Sequence, residues 1–136
     1  MEKEEKIVRA CFDLWGEGVT GVIKSYHQYH HPDFVWWNSA RGSVSGIEAC
    51  IEGMRMMDKL TGFSACKVPI RHLVVLDKVV YVERSDDLFR ADGSLIQSVP
   101  VFGVIEFKGD KISSWRDYCD DWMRNFRPQS APKALA

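Results

Sequence analysis

The sequence predicts an α+β roll, in which helices come first and a strongly curved, mainly antiparallel sheet follows. In the first half, apolar residues recur at the three- and four-residue spacing of amphipathic helices. In the second half, runs rich in β-branched residues alternate with short turn signals, which is typical of antiparallel strands. Three helices on one side of a curved sheet form a cone with one open mouth, and such a cone can hold a small ligand in an apolar pocket.

The first two helices are predicted from apolar stripes of helical period. One stripe runs from Ile7 to Trp15, and Gly16 and Gly18 are expected to end that helix. The second runs from Val19 to Tyr26. This helix must stop near His31, because the following Pro32 disfavours helical geometry in the residue before it.

The third helix is predicted to begin at a capping box formed by Ser45 and Glu48, whose side chains would satisfy free backbone amides. Its apolar stripe runs from Ile47 to Met57, and the helix is expected to end before Gly62. The aromatic run Phe34 to Trp37, between the second and third helices, is predicted to be one short extra strand.

Four strands are predicted to form an antiparallel meander in the second half. The turns between them are indicated by Asp77-Lys78, Asp92-Gly93 and Gly109-Asp110. The predicted strands are Val68 to Leu76, Val79 to Leu88, Leu95 to Phe107 and Lys111 to Tyr118. The domain is predicted to span residues 1–126, and the Pro- and Ala-rich residues 127–136 are predicted to be a flexible tail.

Composition excludes several classes of function. The chain has 136 residues, the size of one domain, with 18 basic and 19 acidic residues. It therefore lacks the basic excess that attracts nucleic acid. No apolar stretch approaches the roughly 18 residues that span a bilayer, and the charged N-terminus does not resemble a signal peptide. We therefore expect a cytoplasmic protein that binds neither nucleic acid nor membranes. The scattered cysteines are predicted to be small core or pocket residues rather than disulfides: Cys11, Cys50, Cys66 and Cys119.

Arg84 and Asp86 are charged residues within an apolar strand. Because they are two residues apart, they share one face of the strand with apolar Val82 and Leu88. Charges on a buried face are costly unless they pair or take part in chemistry. The pair is therefore either a candidate catalytic site or a structural ion pair, which could lie at a subunit interface.

Asp117 follows the same logic in the last strand. It shares a face with Trp115 and Cys119, which both prefer burial. An inward Asp117 could reach Arg84, because one guanidinium can present separate donors to two carboxylates. The alternatives are that Asp117 only neutralises Arg84 or that it is exposed.

Trp36 and Asn38 also share a face. The Asn38 amide offers both a donor and an acceptor and could orient a water molecule. Alternatively, Trp36 is a core aromatic and Asn38 begins the next turn.

The histidine cluster is a weaker candidate. His27 and His31 are four residues apart, as paired zinc ligands are on a helix, but the glutamate of an H-E-x-x-H motif is missing. We therefore predict no metal site, and we interpret His27, His30 and His31 as a solvated helix end before Pro32.

Three motifs follow one another along the chain: W-x-N at residues 36–38, E-R-x-D at 83–86 and W-R-D-Y at 115–118. In this order the sequence resembles the limonene-1,2-epoxide hydrolase family from about Glu4 to Asp121. That family shares its cone-shaped roll with nuclear transport factor, ketosteroid isomerases and SnoaL-like polyketide cyclases. The resemblance implies a catalytic triad of Asp86, Arg84 and Asp117.

The resemblance also implies roles for these residues. Asp117 would take a proton from water, protonated Asp86 would give one to the epoxide oxygen, and Arg84 would bridge them. Asn38 matches the asparagine of a Y-x-N pair that holds the water, whereas Trp36 replaces the tyrosine. An indole can only donate, so this change would move the water or shrink the pocket. The scheme needs no metal or organic cofactor.

The remaining expectations concern the substrate and the assembly. The expected wall residues are mostly apolar and indicate a small apolar epoxide: Trp36, Met54, Leu88, Val101, Phe102, Ile105 and Trp115. Alternative functions on the same roll are an isomerase or cyclase and a non-catalytic ligand-binding module. The resemblance implies a homodimer through the strands Val68 to Leu76 and Leu95 to Phe107.

Overall fold

The computed structural model describes residues 1–127, in which a strongly curved, mostly antiparallel sheet carries helices on its concave side, as the sequence predicts. Residues 128–136, most of the predicted tail, lie outside the described residues. The helices are α1 (Lys3–Trp15), α2 (Val19–Tyr29), α3 (Ile47–Thr61) and a short α4 (Trp122–Asn125). Gly16 follows α1, and Gly62 ends α3 with the left-handed φ of 64° that glycine adopts without strain.

One of two predictions about helix ends is confirmed. Helix α2 ends at Tyr29, close to the predicted stop near His31, and the next strand begins at His30 and includes Pro32. The predicted capping box does not form. Ser45 is paired with Val35 in a strand ladder, and Gly46 is the residue that precedes α3, without a side-chain cap. Backbone pairing therefore outweighs the local capping preference at this position.

Seven strands form the sheet of the described chain. They are β1 (His30–Asn38), β2 (Gly42–Ser45), β3 (Ala65–Lys67), β4 (Ile70–Leu76), β5 (Val79–Phe89), β6 (Leu95–Lys108) and β7 (Lys111–Tyr118). The order is β2-β1-β7-β6-β5-β3, and β4 also pairs with β5. The antiparallel meander β4-β5-β6-β7 confirms the prediction, whereas β2 and β3 were not predicted.

The sheet departs from a simple meander at two places. Strand β1 pairs in parallel with β7, which places Asn38 opposite Asp117. The predicted strand from Val68 starts only at Ile70, because Pro69 has no N–H to continue a ladder. The hairpin turn Asp77-Lys78 is as predicted, and both residues have the positive φ of a tight two-residue turn.

The main core lies between the helices and the concave face of the sheet. Strand alternation puts Val80, Val82, Arg84 and Leu88 on this face of β5, and all four are buried. The helices contribute Val8, Cys11, Phe12, Val22, Tyr26, Cys50 and Ile51. All four cysteines are free thiols, in agreement with the sequence. Within residues 1–127, no helix has both the length and the apolar character that crossing a membrane requires.

Candidate active site

Arg84 joins two carboxylates that come from different strands. Its Nη1 donates to Asp117 Oδ1 at 3.0 Å. On its other side, Nε donates to Asp86 Oδ1 at 2.9 Å and Nη2 donates to Asp86 Oδ2 at 3.2 Å. Strand β6 lies between β5 and β7, so Arg84 reaches across it to meet Asp117. The structure therefore forms the Asp–Arg–Asp cluster that the sequence predicts.

Gly103 makes this reach possible, and sequence reasoning missed it. It sits on β6 directly opposite Asp117 on one side and Val82 on the other. A Cβ at this position would lie 2.6 Å from Arg84 Nη1 and 3.1 Å from Asp117 Oδ1. A glycine inside a strand of β-branched residues is a known sign of close approach, and this signal was available in the sequence.

Aromatic rings enclose the Arg84 guanidinium. Its Cζ lies 5.2 Å from the ring centre of Phe12 and 5.8 Å from those of Trp15 and Trp115. The Arg84 side chain has no exposed surface. Burial by itself lowers the pKa of Arg84, but the Asp117 and Asp86 carboxylates outweigh burial and raise it. Arg84 is therefore a fixed positive charge inside an apolar shell.

Asp117 is held by three hydrogen-bond donors. Its Oδ1 accepts from Arg84 and, at 2.9 Å, from the indole Nε1 of Trp115. Its Oδ2 accepts from Trp36 Nε1 at 3.3 Å. Only 9% of the side chain is exposed. Because all three partners can only donate, the arrangement suits an ionised carboxylate.

Asp86 has a different environment. Among the described residues its side chain accepts hydrogen bonds from Arg84 alone, and 22% of it is exposed. Burial raises the pKa of Asp86, the Arg84 charge opposes this, and the Asp117 charge raises it further. The net effect is a pKa above that of a free aspartate, which favours the protonated acid that proton donation requires.

The Asn38 side chain makes no hydrogen bond to Asp117. Its Oδ1 accepts from the Ala40 backbone N–H at 2.8 Å, and its Nδ2 donates to Cys119 Sγ at 3.3 Å. This is the alternative in which Asn38 begins the next turn. The amide keeps a second N–H, so its role in holding water stays a prediction.

Most of the expected wall residues lie on the concave side. Leu88, Val101, Ile105 and Trp115 are buried there, and half-buried Met54 packs against the same core. Phe102 is the exception, and its assignment to the wall is wrong. It is 43% exposed on the convex face, because neighbouring residues of a strand point to opposite sides and Val101 points inward.

The histidine cluster is divided by the structure. His27 is exposed on α2, whereas His30 is buried on β1 and its Nδ1 lies 2.9 Å from the Ser25 carbonyl oxygen. The interpretation of these residues as a solvated helix end is therefore wrong for His30. In the described part of the chain, no three histidine, cysteine or acidic side chains are grouped as metal ligands would be.

Comparisons with known proteins support the fold. A family model described as SnoaL-like domain matches residues 8–115. No curated protein sequence matches the chain. A solved structure of a proposed SnoaL-like polyketide cyclase from Jannaschia sp. CCS1 aligns with a TM-score of 0.73 at 18% identity, over 96% of this chain and 94% of that one.

Two further solved structures are similar. An LEH-like epoxide hydrolase from M. tuberculosis aligns with a TM-score of 0.69 at 21% identity, over 91% of this chain and 84% of that one. Bal32a, from a soil-derived mobile gene cassette, aligns at 0.71 and 20% identity, over 92% and 97% of the two chains. At such low identity, these likenesses show a shared fold and do not decide between activities.

Proposed function

Because the chain belongs to the SnoaL-like domain family, whose fold includes epoxide hydrolases, cyclases and isomerases, we propose that it is an enzyme that hydrolyses an epoxide. The substrate is a small apolar epoxide and the product is a vicinal diol. The observation that carries this proposal is the buried Arg84 bridging Asp86 and Asp117. An ionised carboxylate and a raised-pKa carboxylate on one arginine provide a base and an acid within one apolar site.

The proposed reaction has one chemical step. Asp117 takes a proton from a water molecule, whose oxygen attacks an epoxide carbon. As the C–O bond breaks, protonated Asp86 gives its proton to the departing oxygen. Arg84 keeps the two carboxylates oriented and balances their charge. The proton then returns from Asp117 to Asp86 before the next turnover, and the scheme needs no metal or organic cofactor.

Labelled water tests the reaction. The protein is incubated with a panel of apolar epoxides in ¹⁸O water, and we expect a diol that carries one ¹⁸O atom. Asp86→Asn and Asp117→Asn should each lower the rate by at least about 10²-fold, the usual contribution of a general acid or base. Glu83→Gln is the matched control, because Glu83 is on β5 with its side chain near Arg71. Full activity in either aspartate variant would contradict the assigned roles.

Trp36 is the position at which the proposed water site is tested most sharply. Its indole N–H occupies one lone pair of Asp117 Oδ2, beside the one left for an attacking water. Trp36→Tyr restores a hydroxyl that can both donate and accept. We expect this variant to hydrate the epoxide at an equal or higher rate, and a steep loss would contradict the placement of the water.

An isomerase or cyclase is the second candidate. It is favoured by the three donors on Asp117 and by the engagement of Asn38 in a turn, because both features leave less provision for a water molecule. Asp86 would then move a carbon-bound proton by itself. Exchange of the α-hydrogen of an apolar ketone for deuterium, lost in Asp86→Asn, together with no diol from any epoxide, would favour this candidate.

We also propose that the protein is a homodimer through the convex face of the sheet. Val74, Leu76 and Phe102 are exposed there by 52%, 62% and 43%. They border a shallow hollow of about 310 Å³ that His72, Tyr81 and Glu83 complete. Adjacent apolar side chains on an uncovered sheet face are typical of an interface.

Light scattering at micromolar concentration tests this assembly. We expect twice the mass of one chain for the native protein and a single-chain mass for Phe102→Glu, which places a charge on the apolar face. Met56→Glu, an exposed apolar position on α3, serves as a control for the added charge. A single-chain mass for the native protein would contradict the proposal.

A further inference from the structure

Trp15 has a buried hydrogen-bond donor that nothing in the described chain satisfies. Its indole Nε1 has less than 1 Å² of accessible surface and no acceptor within hydrogen-bonding distance among residues 1–127. An unsatisfied buried donor costs about 1–3 kcal/mol. Such groups are rare in native proteins, and the recognised reasons for them include strain, a functional role and a bound water or ion.

The ring of Trp15 lies beside the proposed catalytic residues. It sits at the end of α1, 5.8 Å from Arg84 Cζ and 5.4 Å from the ring of Trp115. It also packs against a second apolar cluster, formed by Phe63, Cys66 and Leu88. On β5, Asp86 lies between Arg84 and Leu88 and shares their face. Trp15 therefore lies beside the part of the concave face that carries Asp86, the proposed acid.

The side chains packed around Trp15 offer no strong acceptor to its N–H. Phe12, Phe63 and Leu88 are hydrocarbons, Arg84 and Trp115 carry only donors, and the Cys66 sulfur is a weak acceptor. The oxygens of Asp86, on the same face of β5, accept from Arg84 and not from Trp15. An acceptor for the Trp15 N–H is therefore most readily supplied by a bound molecule.

We propose that Trp15 Nε1 donates a hydrogen bond to an oxygen of the bound ligand. The ligand class is an apolar molecule with a carbonyl or hydroxyl oxygen in addition to the group that reacts. This assignment names the substrate class of the site under the proposed function and rests on it. It makes Trp15 a specificity-determining residue, because an apolar pocket alone would favour the molecule without that oxygen.

Room for this oxygen comes from the second cluster. Met54 and Met57 pack against it and are only half buried. Unbranched methionine side chains adapt to a new neighbour at low cost. In this proposal, a ligand displaces one of them to reach the Trp15 N–H.

Binding of matched probes tests the proposal without any turnover. Carvone and limonene share a carbon skeleton and differ by one carbonyl oxygen, and cyclohexanone and methylenecyclohexane form a smaller pair. We expect the native chain to bind the ketone of each pair about five- to tenfold more tightly, as one hydrogen bond gives. In Trp15→Phe this preference should vanish or reverse. Trp37→Phe removes an indole N–H whose ring packs on Tyr118 instead, and it should keep the preference.

A second measurement uses only the native chain, so it remains valid if Trp15→Phe folds poorly. In ¹⁵N spectra of the native chain, the assigned Trp15 indole N–H signal should move with carvone and stay with limonene. No ketone preference in the native chain, a preference that survives Trp15→Phe, or an unmoved Trp15 signal would overturn the proposal. None of the probes is an epoxide, so these outcomes are independent of whether the chain hydrolyses one.

Discussion

The two carboxylates that flank Arg84 differ in how the protein surrounds them. Asp117 accepts from Arg84 and from two indoles, and it is almost fully buried. Asp86 accepts from Arg84 alone among the described residues and is more exposed. The same arginine therefore has a firmly held partner on one side and a more exposed partner with a raised pKa on the other.

The difference between the two carboxylates also involves the residues that pack behind the Asp117 hydrogen-bond donors. Trp115, which donates to Asp117, is stacked on the buried imidazole of His30 with ring centres 6.1 Å apart and planes within 10°. Asp86 has no comparable support from an aromatic donor among the described hydrogen bonds. Under the proposed function, this difference matches a firmly held base at Asp117 and a proton donor at Asp86.

The largest expected effect is a difference in the free energy of unfolding between the variants of the two aspartates. Asp117→Asn should lower the free energy of unfolding by about 3–5 kcal/mol, because buried Arg84 loses its ionised partner. Its amide nitrogen would also face the Trp36 donor. Asp86→Asn should cost about 1–2 kcal/mol, because its amide nitrogen cannot accept the second Arg84 hydrogen bond. Urea unfolding near neutral pH measures both, and equal losses would contradict the asymmetry.

Lowering the pH should destabilise the folded protein on the Asp117 side of the site, because His30 is buried there without its proton. Burial lowers the pKa of His30 to about 4; the hydrogen bond to Ser25 opposes this and the Lys111 charge adds to it. The unfolded chain therefore takes up this proton first as pH falls. Stability should drop by on the order of 3 kcal/mol between about pH 6.5 and pH 4.

The matched variants for this effect are His30→Gln and His27→Gln. The first keeps a donor for the Ser25 carbonyl but cannot titrate, so part of the acid slope of the unfolding free energy should disappear. The second changes an exposed histidine on α2 and should keep the acid sensitivity of the native chain. Identical slopes in the two variants would show that His30 does not support the Asp117 side.

Gly103→Ala should disturb the hydrogen bonds of Arg84 to both Asp86 and Asp117. The new Cβ would meet Nη1 of Arg84 at 2.6 Å, and the guanidinium is tied to both carboxylates and cannot easily retreat. Overpacking of this kind costs about 1–3 kcal/mol, and the hydrolysis rate should fall with it. Gly53→Ala is the control. Nothing lies within 4 Å of its Cβ position on α3, so it should stabilise the helix by about 0.5–1 kcal/mol.

The sequence predicts those features of the site that depend on neighbouring residues, and it misses those that depend on residues far away in the chain. Strand period two was sufficient to put Arg84, Asp86 and Asp117 on buried faces, because side-chain direction is set locally. The same rule excludes Phe102 from the wall once Val101 is assigned to it. The capping box at Ser45 failed because a distant partner, Val35, pairs with it.

The contacts that depend on the pairing of β1 with β7 could not be predicted from the sequence. The parallel pairing of β1 with β7 brings Trp36 to Asp117, and no local pattern encodes it. The burial of His30 depends on Phe34 and Trp115 packing around it, again from separate elements. Short β2 and β3 carry too few residues to show a period, and their pairing with longer strands defines them.

The smallest expected effect concerns the proton on Asp86. Its pKa is raised in the folded chain, so folding favours the protonated form. Its contribution to stability is therefore fully present below the ordinary value of about 3.9 and is lost as pH rises through the raised pKa. Over this window, the difference in unfolding free energy between the native chain and Asp86→Asn should change, and the hydrolysis rate should fall as the acid ionises. Glu83→Gln should keep both pH dependences, and a rate that rises with pH through this window would instead make Asp86 the base.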